Sequence, residues 1–261
     1  MNFFESLTLG IVQGISEFFP VSSSAHLKLA KLFFKSDSIS DLYLFDLICH
    51  LGTLIASIIF LRKEIVAIFK DKKKASLFVF ALLPLFPFYF LLKPLREFFS
   101  QTYFLPFFLL FTALVLFVSS KIKIKEIDPL THKKKIKDVF YIGLMQAFAL
   151  IPGISRSAFT ISSAYFRGWK ISEAIRFSFL LAIPTILGGS FLESFKHLLK
   201  KEVSFNLPIS SYVIGFLASF LVGIFAIRYI FSIDSNKKLR PFAIYLFCLA
   251  IFSFIFLHAI N

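Results

Sequence analysis

Cysteine is nearly missing from this chain. Only Cys49 and Cys248 occur, both in apolar stretches where a free thiol behaves as a small hydrophobe, so neither a disulfide framework nor a cysteine metal site is implied. Charge is scarce as well: Asp, Glu, Lys and Arg make up 17% of the residues, against about a quarter in soluble domains. No polar loop is long enough to hold a soluble domain. The N-terminus has no basic run and carries Glu5 early, which argues against a cleaved signal peptide. What the chain has instead is oil: 57% of its residues are hydrophobic, 39 are Phe, and the mean hydropathy is +0.81.

That composition describes an all-α polytopic membrane protein. A bilayer core of roughly 30 Å takes about 20 apolar residues in a helix. Six stretches qualify or nearly do, at about 42–61, 75–92, 103–120, 174–192, 208–230 and 241–260. The formal net charge of +14 follows the loops between them. Alternate loops carry 19 Lys and Arg against 8, with 62–76, 121–138 and 228–240 on the rich side, as the positive-inside rule expects. The basic excess therefore sets topology and attracts anionic lipid; nucleic acid is not the expected partner. Both termini fall on the poor, external side.

The polar residues that remain sit in two related segments. GIVQGISEFFPVSSS (10–24) and GLMQAFALIPGISRS (143–157) each open with Gly, place Gln three residues on, and continue to Pro and a Ser-rich turn. Phe45 and Thr53 follow Pro20 at the offsets at which Phe177 and Thr185 follow Pro152. Such matching reads as an internal duplication within one integral membrane domain (1–261), with repeat 1 at about 1–125 and repeat 2 at about 133–261. Each half holds one polar-tipped segment and three crossings. Three is odd, so the second half is expected upside down.

Segments 6–33 and 139–165 cannot face lipid, because their turns, prolines and ionisable groups would go unsatisfied there. As re-entrant helical hairpins buried in protein, one from each face, their tips would meet near the midplane and offer helix N-termini to an anion. The pooled site is Glu17, Ser22, Ser23, Ser24 and His26 from one tip with Gly153, Ser155, Arg156 and Ser157 from the other. Singly, each has a plainer reading, such as a Ser bonded to its preceding turn. Together they do not, since ionisable groups inside a membrane are costly. Arg156 between two hydroxyls is a fork for phosphate. Glu and His can do acid and base work, and a Ser beside a base becomes a nucleophile. The set points to phosphoryl chemistry in a membrane.

QGISEFFPVSSSAH and PGISRSAFT resemble the two signatures of the undecaprenyl-diphosphate phosphatases, the bacitracin-resistance membrane family. FDLICHLGTLIA and RFSFLLAIPTILGG are similar to the stretches that follow each signature, so the likeness spans the chain. It implies hydrolysis of a polyprenyl diphosphate lipid, undecaprenyl diphosphate, to the monophosphate on the outer face of the cytoplasmic membrane. It implies a divalent cation, magnesium or calcium, with Gln13 and Glu17 at the acidic motif, and it leaves room for a homodimer. It also implies Ser23 as nucleophile, His26 as catalytic histidine and Arg156 as phosphate ligand. Ala25 and Ala158 depart from the usual glycines, and Gln13 carries no charge. Asp46 and His50, one turn apart, are a candidate supporting pair.

Two attacks fit these residues: Ser23 deprotonated by His26, or a water activated by Glu17 or His26. The rival function is an inverted-repeat transporter or polyprenyl-phosphate flippase. A purely structural scaffold would leave the Ser, His and Arg cluster without a purpose.

Overall fold

The computed structural model describes residues 1–34, 42–125, 132–199 and 207–260. The expected basic loop over 121–138, the poor-side loops at 28–41 and 193–207, and Asn261 therefore lie partly or wholly outside the described residues. Among those described there are helices and no strands.

The first hairpin is α1 (Phe3–Ser16) and α2 (Ser23–Phe33). Asn2 starts α1 with a capping box: it accepts from the Glu5 N–H while the Glu5 side chain takes its own. After α3 (Tyr43–Phe60) and α4 (Arg62–Lys70), Asp71 caps α5 (Lys72–Leu82) by accepting from the N–H groups of Lys73 and Lys74. The chain continues through α6 (Leu85–Leu91), α7 (Lys93–Phe99) and α8 (Leu105–Lys121). The expected span at 75–92 is thus two helices, α5 and α6, broken at Pro84. The second half runs through the hairpin α9 (His132–Phe148) and α10 (Arg156–Phe166), then α11 (Ile171–Leu199), α12 (Ile209–Phe231) and α13 (Arg240–Ile260). Six stretches are long and apolar enough to cross a membrane, matching the six expected. With 11 residues each, α2 and α10 reach only roughly 17 Å, about half a bilayer core.

Packing is exchanged between the halves. Helix α1 packs most extensively on α12, while its counterpart α9 packs on α5 and α6, and α8 lies along α13. The paired glycines of the Gly-x-x-Gln segments make this possible. A Cβ on Gly10 would lie 2.8 Å from the Gly215 carbonyl oxygen, and one on Gly143 would lie 2.0 Å from that of Ala81. Small residues let membrane helices approach this closely, where there is little hydrophobic drive to hold them.

Behind the hairpin tips, Phe18 is buried and stacks on Phe179 at 5.8 Å. Half-buried ion pairs anchor the ends away from the tips. Lys31 on α2 pairs with Asp46 on α3, and Arg167 donates from Nε to Asp138 at 2.6 Å while Trp169 donates to the other carboxylate oxygen. Large apolar side chains such as Phe86, Phe191 and Phe225 point outward. In water so much exposed Phe would drive aggregation; in lipid it is the matching surface.

Candidate active site

Glu17 follows the last turn of α1, and its backbone N–H still donates to Gln13. The two side chains therefore share a face one turn apart, and Gln13 donates from Nε2 to Glu17 Oε2 at 3.1 Å. The chain then turns through Pro20 to Ser22, the one non-glycine residue with positive φ (73°) among the described residues. Holding a serine there costs on the order of 1–3 kcal/mol. Ser22 precedes α2 without capping it by its side chain, and its hydroxyl lies 3.3 Å from that of Ser24. The leading N–H groups of α2 therefore have no side-chain cap.

The second tip turns at Gly153, whose φ of 98° suits glycine alone and whose Cα sits against Phe108. Ser155 then caps α10 by accepting from the Ala158 N–H, and its hydroxyl lies 3.3 Å from that of Ser157.

The two tips meet. Arg156 donates from Nη2 to Glu17 Oε1 at 2.7 Å, and Ser157 donates to the Phe19 carbonyl at 3.3 Å. Ser23 donates to Glu17 Oε2 at 2.8 Å. Glu17 thus receives Arg156, Ser23 and Gln13 together, in a polar cavity of about 210 Å³ walled also by the other tip serines. His50 adds to this wall. Its Nδ1 lies 2.8 Å from Gln13 Nε2 and 3.5 Å from Glu17 Oε2. The His50 ring nitrogen thus stands beside both polar side chains that α1 presents at its end.

Two expectations do not hold. The His26 ring nitrogens do not bond Ser23: Nδ1 is 2.8 Å from the Ser22 carbonyl and Nε2 2.7 Å from the Tyr245 hydroxyl, on which the ring stacks. Its ring closes the start of α2 and lines a separate apolar cavity with Phe19, Phe242 and Tyr245. Nor do Asp46 and His50 pair, because Lys31 takes Asp46 and Gln13 takes His50. Gln146 and Thr185, which also line the polar cavity, were visible in the sequence only as markers of the repeat.

The fit to a divalent cation can be judged from the donors. No group of three or more His, Cys, Asp and Glu gathers among the described residues. Gln13 Oε1 is buried without a hydrogen-bond partner, the amide turning Nε2 toward the Glu17 carboxylate. One carboxylate and one amide oxygen do not make a cage. They do suit a hard cation that keeps waters and is shared with substrate phosphates.

These features define a polytopic membrane protein with a polar cavity between two hairpin tips. The chain belongs to the bacitracin resistance protein BacA family, whose sequence profile matches residues 6–252. It is 39% identical over 250 residues to the undecaprenyl-diphosphatase of Protochlamydia amoebophila (strain UWE25), covering 94% of this chain and 95% of that one. The undecaprenyl-diphosphatase of Methanococcus vannielii is 35% identical over 257 residues, covering 95% of this chain and 98% of its own. That of Christiangramia forsetii is 34% identical over 272 residues, covering 99% and 100%.

Proposed function

We propose that this chain hydrolyses undecaprenyl diphosphate to undecaprenyl phosphate and inorganic phosphate, recycling the lipid carrier of cell-wall synthesis and conferring bacitracin resistance. The observation that carries this reading is the pairing of Arg156 and Ser23 on one carboxylate, Glu17, inside a membrane-embedded polar cavity. Glu17 neutralises Arg156. An entering diphosphate competes for the guanidinium, whose planar fork matches phosphate. Glu17 is then released as a base in contact with Ser23, and the α2 N-terminus faces the transferred group.

Glu17, not His26, is the base within reach of Ser23. Two attacks follow from that placement. The Ser23 oxygen bonds to the terminal phosphorus, its proton goes to Glu17, and the bridging P–O bond breaks to leave the prenyl phosphate. Alternatively a water makes the same attack and gives its proton to Glu17. Gln13 and Glu17 would hold magnesium or calcium, which supplies charge neutralisation when bound.

The prenyl chain has a route out. An apolar groove of about 320 Å³ between α6 and α11, with Phe86, Phe90 and Leu192 on its walls, shares Leu150 and Thr185 with the polar cavity. Our reading also takes the two halves as inverted repeats in the cytoplasmic membrane, with the site open to the outer face. Both tips come from one chain, so the site is complete without a homodimer, which would double it.

The test is release of phosphate from undecaprenyl diphosphate by detergent-purified protein with a divalent cation. Release supports the reading. No release, with movement of the lipid between leaflets of liposomes, would make the protein a transporter.

A further inference from the structure

A basic cavity lies where three helices come together at one end. Helices α3 and α12 run side by side in the same direction: a Cβ on Gly215 would lie 2.6 Å from the Phe45 ring, and one on Gly223 would lie 3.6 Å from the Ala56 Cβ. The pair closes with Phe60 on Phe231, ring centres 4.9 Å apart. The first turns of α11 arrive at the same end, where Arg176 donates from Nη1 to Glu64 Oε1 of α4 at 2.9 Å and lies over the Phe231 ring. The cavity they enclose measures about 530 Å³ and shares no lining residue with the polar cavity between the hairpin tips.

Its walls are of two kinds. Arg62, Lys63, Arg176 and Arg228 line it with a single carboxylate, Glu64. Arg176 takes that carboxylate, and Arg62, Lys63 and Arg228 have no ion-pair partner among the described residues, so three positive charges stand unbalanced. The rest of the wall is apolar and includes the exposed Ile59 and the half-buried Ile224. Single basic side chains at helix ends commonly reach for headgroups one by one. Here they come from α4, α11 and α12 to one concavity, and the Arg176 guanidinium is fixed at its wall by Glu64 and Phe231, which line it too.

A ligand that satisfies both walls carries negative charge at one end and hydrocarbon at the other. A guanidinium fork matches phosphate oxygens two at a time. A free anion would leave the apolar wall bare, and a zwitterionic lipid would bring an ammonium into a site already in positive excess. Segments 62–76 and 228–240, which supply Arg62, Lys63 and Arg228, also belong to the basic-rich side of the chain, where basic pockets between membrane helices take anionic headgroups. We propose that this cavity binds an anionic phospholipid of the leaflet on the basic-rich side, with its phosphodiester on Arg62, Lys63 and Arg228 and an acyl chain along Ile59 and Ile224. The site stands apart from the proposed hydrolysis and holds whether or not the chain cleaves a diphosphate.

The test is titration of the detergent-purified full chain with phosphatidylglycerol at fixed ionic strength, read by native mass spectrometry for retained lipid and by the melting temperature. Wild type should retain phosphatidylglycerol and melt later with it, and phosphatidylcholine should do neither. Arg62→Gln with Arg228→Gln should raise the half-saturating concentration about thirtyfold. Lys72→Gln with Lys73→Gln removes the same charge from the same loop outside the cavity and should leave it within about twofold. Glu64→Gln removes the one carboxylate and should lower it several-fold, a gain that no folding defect produces. If the double arginine variant does not fold, Glu64→Gln decides alone. Equal losses in the two double variants would mean diffuse attraction to a basic face and overturn the site. Unchanged or weaker binding in Glu64→Gln overturns it as well, and so does wild type that retains no phosphatidylglycerol. A melting shift of the same size with glycerol 3-phosphate alone would make the cavity a site for free phosphate and overturn the lipid.

Discussion

Arg156 and Glu17, 139 residues apart in sequence, form a hydrogen-bonded ion pair at 2.7 Å with side chains 17% and 6% exposed. The pair ties one hairpin tip to the other. Removing one member of a buried pair leaves an uncompensated charge, at roughly 3–5 kcal/mol, whereas replacing both with apolar residues of similar volume is often nearly neutral. Arg156→Met and Glu17→Met alone should each lower the melting temperature in detergent, and the double variant should recover most of the loss. Additive losses would mean that the pair does not hold the tips.

His26 should tolerate substitution better than its motif suggests. Its ring nitrogens meet the Ser22 carbonyl and the Tyr245 hydroxyl rather than Ser23. We expect His26→Ala to cost less than about tenfold in kcat, and Tyr245→Phe to cost less still, since the first removes two ordinary hydrogen bonds and the second one, each of roughly 0.5–1.5 kcal/mol and none to a reacting atom. A loss of several orders of magnitude in His26→Ala would put the imidazole back among the reacting groups.

Glycines of unlike surroundings test the exchanged packing. A Cβ on Gly143 would meet the Ala81 carbonyl at 2.0 Å, whereas one on Gly188 meets nothing within 4 Å. Gly143→Ala should destabilise by about 1–3 kcal/mol through overpacking. Gly188→Ala, in the same thermal assay, should be neutral or stabilising by up to about 1 kcal/mol through helix propensity. Equal effects would mean that α9 is not pressed against α5.

A divalent cation should be required. A diphosphate brings more negative charge than Arg156 and one helix terminus can balance in a cavity of low dielectric. EDTA should abolish phosphate release and added magnesium or calcium should restore it. Full activity after exhaustive chelation would remove the cation role given to Glu17 and Gln13.

The site was legible in the sequence where physics makes residues expensive. Glu17, Arg156 and the serines stand out because lipid would not tolerate them unpaired, and the repeat predicted that two distant tips would share a site. Side-chain direction was not legible. His26 turns to a tyrosine 219 residues away, a partner no local pattern could name. Helical spacing suggested Asp46 with His50, but Lys31 on the neighbouring helix is the stronger partner for a carboxylate. Gln146 and Thr185 were seen only as repeat markers, because the bond between them depends on how α9 and α11 pack. The break in the second span was written at Pro84, yet hydropathy alone treated 75–92 as continuous.

The most direct test is phosphate release from undecaprenyl diphosphate by wild-type, Ser23→Ala and Arg156→Lys proteins under one set of conditions. Wild type should turn over. Arg156→Lys keeps its charge but loses the fork, and should fall about ten- to hundredfold. Ser23→Ala should fall by several orders of magnitude if Ser23 attacks, and no further than Arg156→Lys if water does. Near-wild-type rates for both variants would contradict an active site shared between the two hairpin tips.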